Sequence, residues 1–373
     1  MKITHIYFRY PLYSRGCYLT EYLRYLGEND VSSVLISEKY PNGAELPVVK
    51  NLTYLWVSRD KSELSFIFRV FKYLSHVEIR TSDVYHSIGT RGVLFGFIAK
   101  LIYHKKFVVT VEMVGDSSGG FLSHLSVFSY RYILKLCKPY KIILWSQYYK
   151  DKYFKNWNNA VVVPPGIKII DRSVSRTASW DGPGMAELKI HFVKPLYKPN
   201  GTAAITLLDA LETYKKKYGS SYKLTLYFRG ENQEQEVIDH IKELDAEANV
   251  IIEKFLPFDA VNDAIRSSDI TILPFSYAPT VSRSLLEAMM VGQLVLVTKY
   301  GEISTIIKDG QNGFFISEDS EEIADKIHYV LALSKTQKES IKNNARLSVE
   351  KNYNSVINFE RNMKIFETSI RNA

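Results

Sequence analysis

Short apolar runs recur along this chain, separated by longer stretches in which apolar residues return every three or four positions. In the first half the runs predict strands over Ile3–Phe8, Val31–Ile36, Leu52–Trp56, Val84–Ser87, Phe107–Val111, Lys141–Leu144 and Ala160–Val163. Helical spacing predicts Cys17–Gly27, Ser62–His76, Gly89–Tyr103 and Phe121–Cys137 between them. The paired prolines of VVVPPG (Val161–Gly166) close this series, and Ile170–Glu187, with little apolar periodicity, reads as a linker. The alternation then restarts. Strands are expected at Lys189–Phe192, Lys223–Phe228, Val250–Glu253, Ile270–Leu273, Leu294–Thr298 and Gly313–Ile316. Helices are expected at Gly201–Tyr218, Gln233–Ala246, Phe258–Ser267, Ser284–Met290, Glu302–Lys308 and Glu321–Leu333, followed by a long helical tail over Ser340–Asn372. Alternation of this kind predicts an α/β protein with parallel sheets.

Length and composition sharpen that picture modestly. A chain of 373 residues exceeds one ordinary core and suggests two domains. With 46% hydrophobic and 24% charged residues it has a globular composition. No apolar run approaches the ~20 residues that cross a bilayer. The opening MKITHIYFRYP lacks the apolar core of a signal peptide and reads as a first strand. Cys17 and Cys137 show neither disulfide nor zinc spacing, which fits a reducing cytosol.

Charge is divided unevenly. Residues 1–170 hold 23 Lys and Arg against 12 Asp and Glu, whereas residues 171–373 hold 25 against 28. Basic residues alternate with aromatics in Phe66–His76, Phe95–Lys106 and Phe128–Lys141. Such stretches read either as core-facing helices with solvated Lys/Arg backs or as a surface for an anionic membrane. A nucleic-acid groove is a third reading, but no nucleic-acid partner is expected.

The richest segment is Ser268–Ile316, SDITILPFSYAPTVSRSLLEAMMVGQLVLVTKYGEISTIIKDGQNGFFI. A buried strand, a proline-containing loop and a helix start is a geometry that holds phosphate, because backbone N–H groups and the helix dipole face the anion. Glu287 is the one carboxylate of an otherwise small and apolar helix start, placed where it can reach a ribose diol. It also fits a capping box, since Ser284 precedes it by three.

This segment resembles the nucleotide-sugar motif of the retaining glycosyltransferases of family 4. Other blocks follow in the family's order: Asp83–Gly92 with Lys106–Val111, then Val161–Gly166, His191–Gly201 and Leu224–Glu231. The resemblance therefore covers nearly the whole chain. It implies the GT-B fold, two Rossmann-like domains facing each other across a cleft, with the last helix crossing back to the first. The expected domains are an acceptor domain over 1–169 with helix 353–373, a linker at 170–187, and a donor domain over 188–352. By the same resemblance, Glu287 accepts hydrogen bonds from the donor ribose. Thr280, Val281, Ser282 and Arg283 meet the diphosphate, with Lys194, Lys198, Gly230 and Lys254 also on the donor. Arg15 and Gly16 form the loop after the first strand, and Glu112 stands at the end of a strand as a catalytic base for the acceptor. Each has a plainer reading. Lys194, Lys198 and Arg283 read equally as solvated cations, Gly16 as a turn, and Glu112 as an exposed loop residue. Asp116 is a weaker acceptor candidate, and His86 reads as a core histidine.

Departures from the family pattern are specific. The first of the family's two glutamates falls at Pro279, and the diphosphate loop has Pro195 and Asn200 where the family has Arg and Lys. The implied activity is retaining sugar transfer from a UDP- or GDP-sugar to a glycan, lipid-linked in O-antigen or capsule assembly. The nucleotide sugar is a substrate, so no cofactor and no metal are expected. The place is the cytoplasm or the inner membrane surface. Epimerases and phosphorylases share the fold. A non-catalytic relative that binds a sugar nucleotide or a partner glycosyltransferase is the alternative.

Overall fold

A computed structural model describes residues 1–10, 15–39, 48–57, 63–112, 121–170, 187–193, 200–228, 234–254, 260–276 and 281–371. The chain divides into two compact units, Met1–Gly166 with Ser355–Ala373, and Ile167–Asn354. The expected linker falls mostly outside the described residues.

The first unit is built on seven parallel strands: β1 (Lys2–Tyr10), β2 (Ser32–Lys39), β3 (Leu52–Val57), β4 (Val84–Ile88), β5 (Lys106–Val111), β6 (Lys141–Leu144) and β7 (Ala160–Val162). Their order is β3-β2-β1-β4-β5-β6-β7. The near-continuous apolar runs are what a parallel sheet requires, because helices cover both faces and both side-chain rows are buried. β4 and the last five residues of β5 are buried throughout. The connections run one way from β1 to β3 and the other way from β4 to β7, so the order reverses between β1 and β4. At that reversal Gly92 caps the helix Val93–Tyr103. A Cβ there would lie 2.6 Å from Ser87 Oγ and 2.8 Å from Ile6 Cβ, so only glycine lets the loop pass so close to β1.

The second unit contains β8 (Leu188–Phe192), β9 (Tyr222–Phe228), β10 (Val250–Lys254), β11 (Ile270–Leu273), β12 (Leu294–Thr298) and β13 (Phe314–Ile316). They form two parallel three-stranded sheets, β10-β9-β8 and β11-β12-β13. The sheets meet where Asp269 N donates to Lys189 O at 2.8 Å and Lys189 N donates to the Asp269 carboxylate at 2.7 Å. The order thus reverses between β8 and β11, as it does between β1 and β4.

Two helical expectations need correction, and one helix is new. The helix expected over Ser62–His76 is Glu63–Arg69, which tightens into a 3-10 turn at Val70–Tyr73, with a separate turn at Val77–Arg80. The Val77–Arg80 turn has its own cap, His76, whose ring accepts from Glu78 N. A helix at Gln147–Tyr153 was not expected, because QYYKDKY has no apolar periodicity; Ser146 starts it by accepting from Tyr149 N at 3.0 Å. The long tail is two helices, Lys335–Asn352 and Ser355–Arg371, interrupted where Ile167 N bonds Tyr353 O at 2.8 Å.

The last helix belongs to the first unit. It buries Ser355, Asn358, Phe359, Asn362, Phe366 and Ser369, the one-face spacing of an amphipathic helix. Phe359 packs on Tyr18, Tyr22 and Tyr25, and Phe366 on His5 and His86. Asn358 and Asn362 fix it with amide donors to Pro164 O (3.0 Å) and Tyr18 OH (3.2 Å). Among the described residues no helix is long and apolar enough to cross a membrane.

Candidate functional site

In open parallel sheets a ligand sits beyond the carboxyl ends of the strands at the point where strand order reverses. In the second unit that point lies between β8 and β11. The helix that follows β11 is Arg283–Met290, and it starts there.

Its geometry follows from its sequence. Ser282 is the N-cap, extended at φ −82° and ψ 107°, and its hydroxyl accepts from Leu285 N at 3.4 Å. Leu286 N makes the first intrahelical bond, to Ser282 O at 3.1 Å, which leaves the Arg283 and Ser284 N–H groups ahead of the ladder. Leu285, Leu286, Ala288, Met289 and Met290 are fully buried. Burying one large apolar side chain is worth roughly 1.5–3 kcal/mol, so packing holds the helix start rigidly. At the other end Gly292, at φ 81°, completes a Schellman motif: Gln293 N bonds Ala288 O (2.9 Å) and Gly292 N bonds Met289 O (3.2 Å). The buried Gln293 amide then donates to Ile265 O (3.0 Å) and Ser268 O (2.7 Å), tying the helix end to the entrance of β11.

Glu287 is one turn inside this helix and buried. The capping-box reading fails, because the cap is Ser282 and the third helical residue is Leu285. Instead Glu287 Oε1 lies 3.5 Å from Arg283 Nε, both side chains largely shielded from water. Val281 is half-buried against the core. Val281, Ser282, Arg283 and Glu287 are thus gathered at one helix start. Lys254 is the last residue of β10, and its side chain lies outside what is described. Thr280, Lys194, Lys198 and Gly230 lie outside the described residues, as do Pro195 and Pro279. β8, β9, β10 and β11 end at Phe192, Phe228, Lys254 and Leu273, all on one edge.

Sequence reasoning missed Arg346, which is buried on the helix Lys335–Asn352. Its guanidinium donates to Met290 O at 3.1 Å, to Ile170 O, and to Glu350 at 2.8 Å. It therefore clamps the C-terminal carbonyl of the Glu287 helix, where a cation also favours the dipole. A lone Arg in a polar helix gave no signal of this. The turn Asp309–Gly313 is structural: Asp309 accepts from Phe315 N at 2.7 Å, and Asn312 bridges Lys308 N (2.7 Å) and Ile306 O (3.0 Å).

In the first unit, Glu112 directly follows β5 and is buried, against the exposed-loop reading. Burial, and after it the charge of Glu112, pushes the Tyr130 hydroxyl pKa up. Arg15 and Gly16 open the helix Arg15–Glu28 after β1, on the same sheet edge; their side chains lie outside what is described, and Asp116 lies outside altogether. β1 and β5 flank β4, so their ends stand about 10 Å apart by strand spacing. Arg91, in the loop after β4, was not foreseen. Its guanidinium stacks 4.0 Å from the Phe8 ring centroid at the reversal of strand order. His86 is a core residue, bonded to His5 Nδ1 (2.9 Å) and Thr110 Oγ1 (2.7 Å). Among the described residues no group of three His, Cys, Asp or Glu could hold a metal ion.

Residues 198–347 match the family described as Glycosyl transferases group 1. The matched residues all lie in the second unit. The match includes the whole Glu287 helix and its Arg346 clamp. No curated protein matches the chain by sequence. Solved structures resemble it over its full length. A glycosyltransferase from Rickettsia africae aligns at 17% identity and TM-score 0.77, covering 100% of this chain and 99% of that one. HepE of Anabaena, solved with UDP and glucose, aligns at 15% identity and TM-score 0.75, covering 99% and 100%. The lipopolysaccharide outer core galactosyltransferase WaaB aligns at 14% identity and TM-score 0.69, covering 100% and 99%. At these identities the likeness establishes the fold, which is GT-B with two Rossmann-like units.

Proposed function

We propose that this chain is a retaining, metal-independent glycosyltransferase that moves a sugar from a UDP- or GDP-linked donor to a lipid-linked glycan in O-antigen or capsule assembly. The observation that carries this reading is the capped helix start at the reversal of strand order in the matched domain, with buried Glu287 one turn further in. In this reading the second unit binds the donor. Glu287 accepts from the ribose hydroxyls, while the N–H groups and hydroxyl of Val281–Ser284 and the cations Arg283, Lys194 and Lys198 meet the diphosphate. Lys254 and Gly230 border the nucleotide. Fixed donors aimed at a leaving diphosphate stabilise the charge that develops as the glycosyl bond breaks, which is why no metal is called for.

The first unit binds the acceptor. Arg15 and Gly16 shape its loop, and Glu112 takes the proton of the attacking acceptor hydroxyl as the new glycosidic bond forms and nucleoside diphosphate departs. The lipopolysaccharide setting draws support from WaaB as a fold neighbour, and the nucleotide-sugar donor from HepE, solved with UDP and glucose.

The test is turnover. The protein is incubated with UDP-glucose, UDP-galactose or GDP-mannose and a lipid-linked glycan extract, and nucleoside diphosphate release and product anomeric configuration are followed. Acceptor-dependent release with retained configuration is expected. Nucleotide binding without release under any pairing would favour the non-catalytic alternative, and inverted product would refute the retaining mechanism.

A further inference from the structure

The helices Val93–Tyr103 and Phe121–Cys137 cover the same face of the first sheet, burying Val93, Phe95 and Ala99, and Val127, Tyr130 and Leu134, in one core cluster. Their outer faces should then be polar. They are not. The first helix turns Leu94, Leu101 and Ile102 outward, with Leu101 55% exposed. The second turns out Phe128 (66%), Tyr132, Ile133 and Leu136 (58%), at the one-face spacing of a second apolar stripe. These two helices are thus core-facing, as one sequence reading had it, but their backs are largely apolar, with exposed Lys135 and Lys138 toward one end.

Charge tells what covers this face. Neither helix contains an aspartate or glutamate. Both helices end at the same edge of the sheet, where Lys100 Nζ reaches Lys138 O at 3.0 Å and Lys105, Lys106 and Lys135 stand nearby in sequence. Lys100 is held below its ordinary pKa by burial and by the charges of Lys106 and Lys138, a sign of crowded positive potential. Beside Lys135 and Lys138 opens a pocket of about 310 Å³ lined also by Asn156, Trp157 and Asn158. A protein partner would match the apolar stripe alone. Apolar residues bordered at one edge by lysines match an interface of acyl chains under anionic headgroups.

We infer that the paired outer faces of helices Val93–Tyr103 and Phe121–Cys137 dock on an anionic lipid bilayer, with Leu101, Phe128, Tyr132 and Leu136 entering the acyl boundary and Lys135 and Lys138 meeting lipid phosphates. The lysines lie at the edge where strands begin, and Glu112 at the edge where they end, so docking leaves the proposed acceptor side open. The inference needs no nucleotide and stands apart from the donor site.

The experiment is flotation of the full chain with vesicles of phosphatidylcholine alone or mixed with phosphatidylglycerol. Binding to the anionic vesicles only, weakened by salt, is expected. Each lysine is worth about fivefold in partitioning, so Lys135→Ala with Lys138→Ala should weaken binding about 25-fold. Phe128→Ser with Leu136→Ser should weaken it at least about tenfold. All four positions are exposed, and unchanged thermal melts confirm folding. No flotation, equal affinity for neutral vesicles, or variants that bind like the parent would overturn the inference. So would a stable dimer broken by Phe128→Ser, or retention of single-stranded DNA with no vesicle binding.

Discussion

Replacing His5 by Phe should remove much of the acid sensitivity of the first unit. His5 and His86 stand opposite one another in register on β1 and β4, 2.9 Å apart through their Nδ1 atoms. Both are buried among Tyr22 and Phe366. His86 also meets Thr110, whereas His5 Nε2 has no hydrogen-bond partner. Burial holds the His5 pKa down to about 3, and burial together with the charge of His5 holds His86 well below its ordinary value. A histidine with a depressed folded-state pKa contributes its stability in full above the unfolded value of about 6.5, and loses it as pH falls toward the folded value. Between pH 6.5 and pH 5 the unfolded chain takes up a proton that native His5 refuses, at about 1.4 kcal/mol per pH unit, or about 2 kcal/mol in all. His86 acts in the same direction. This window lies above the ordinary carboxylate range, which isolates the histidines. The assay is urea unfolding followed by tryptophan fluorescence at pH 7.5 and pH 5; Trp56, Trp145 and Trp157 all lie in the first unit. His5→Phe keeps the ring packing and should lose about 2 kcal/mol less than the parent over this interval. Equal losses in parent and variant would refute the argument.

Arg346→Met should destabilise the second unit by about 3 kcal/mol, because it strips charged donors from Met290 O, Ile170 O and the Glu350 carboxylate. Hydrogen exchange at the Glu287 helix measures this, and a loss under about 1 kcal/mol would show the clamp is idle. Ser282→Ala should cost about 1 kcal/mol through the lost N-cap, read by thermal denaturation; an unchanged melt would contradict the cap. Glu112→Gln should lower turnover at least about 100-fold while leaving nucleotide affinity unchanged; equal turnover would remove Glu112 from the reaction.

The regular parts of the fold were legible because burial leaves a plain mark. β11 and β12 are short runs, apolar but for Thr271 and Thr298, and Gly292 marks the end of the helix between them. What escaped depends on partners far away in the chain. His5 and His86 meet across 81 residues, and Arg346 reaches Ile170 across 176. The Gln147–Tyr153 helix rests on a cap without periodicity. Ser284 and Glu287 showed capping-box spacing, but the helix starts two residues earlier, which only backbone geometry could reveal. Glu112 was placed by the end of its strand, but the strand pattern carried no sign of its burial. For the helices Val93–Tyr103 and Phe121–Cys137 the sequence left both a core-facing and a membrane-surface reading open, since the pattern alone cannot say which of two apolar stripes faces the sheet.

The central claim is a donor site at the Arg283–Met290 helix start, and calorimetric titration with UDP and GDP on the parent chain and Glu287→Ala tests it most directly. A removed hydrogen bond between a charged carboxylate and ribose is worth about 1.5–3 kcal/mol, or roughly 10- to 150-fold in affinity. The account predicts that one nucleotide binds the parent and that Glu287→Ala, still folded, binds it at least tenfold more weakly. Tight binding undiminished in the variant, or no binding of either nucleotide to the parent, would contradict it.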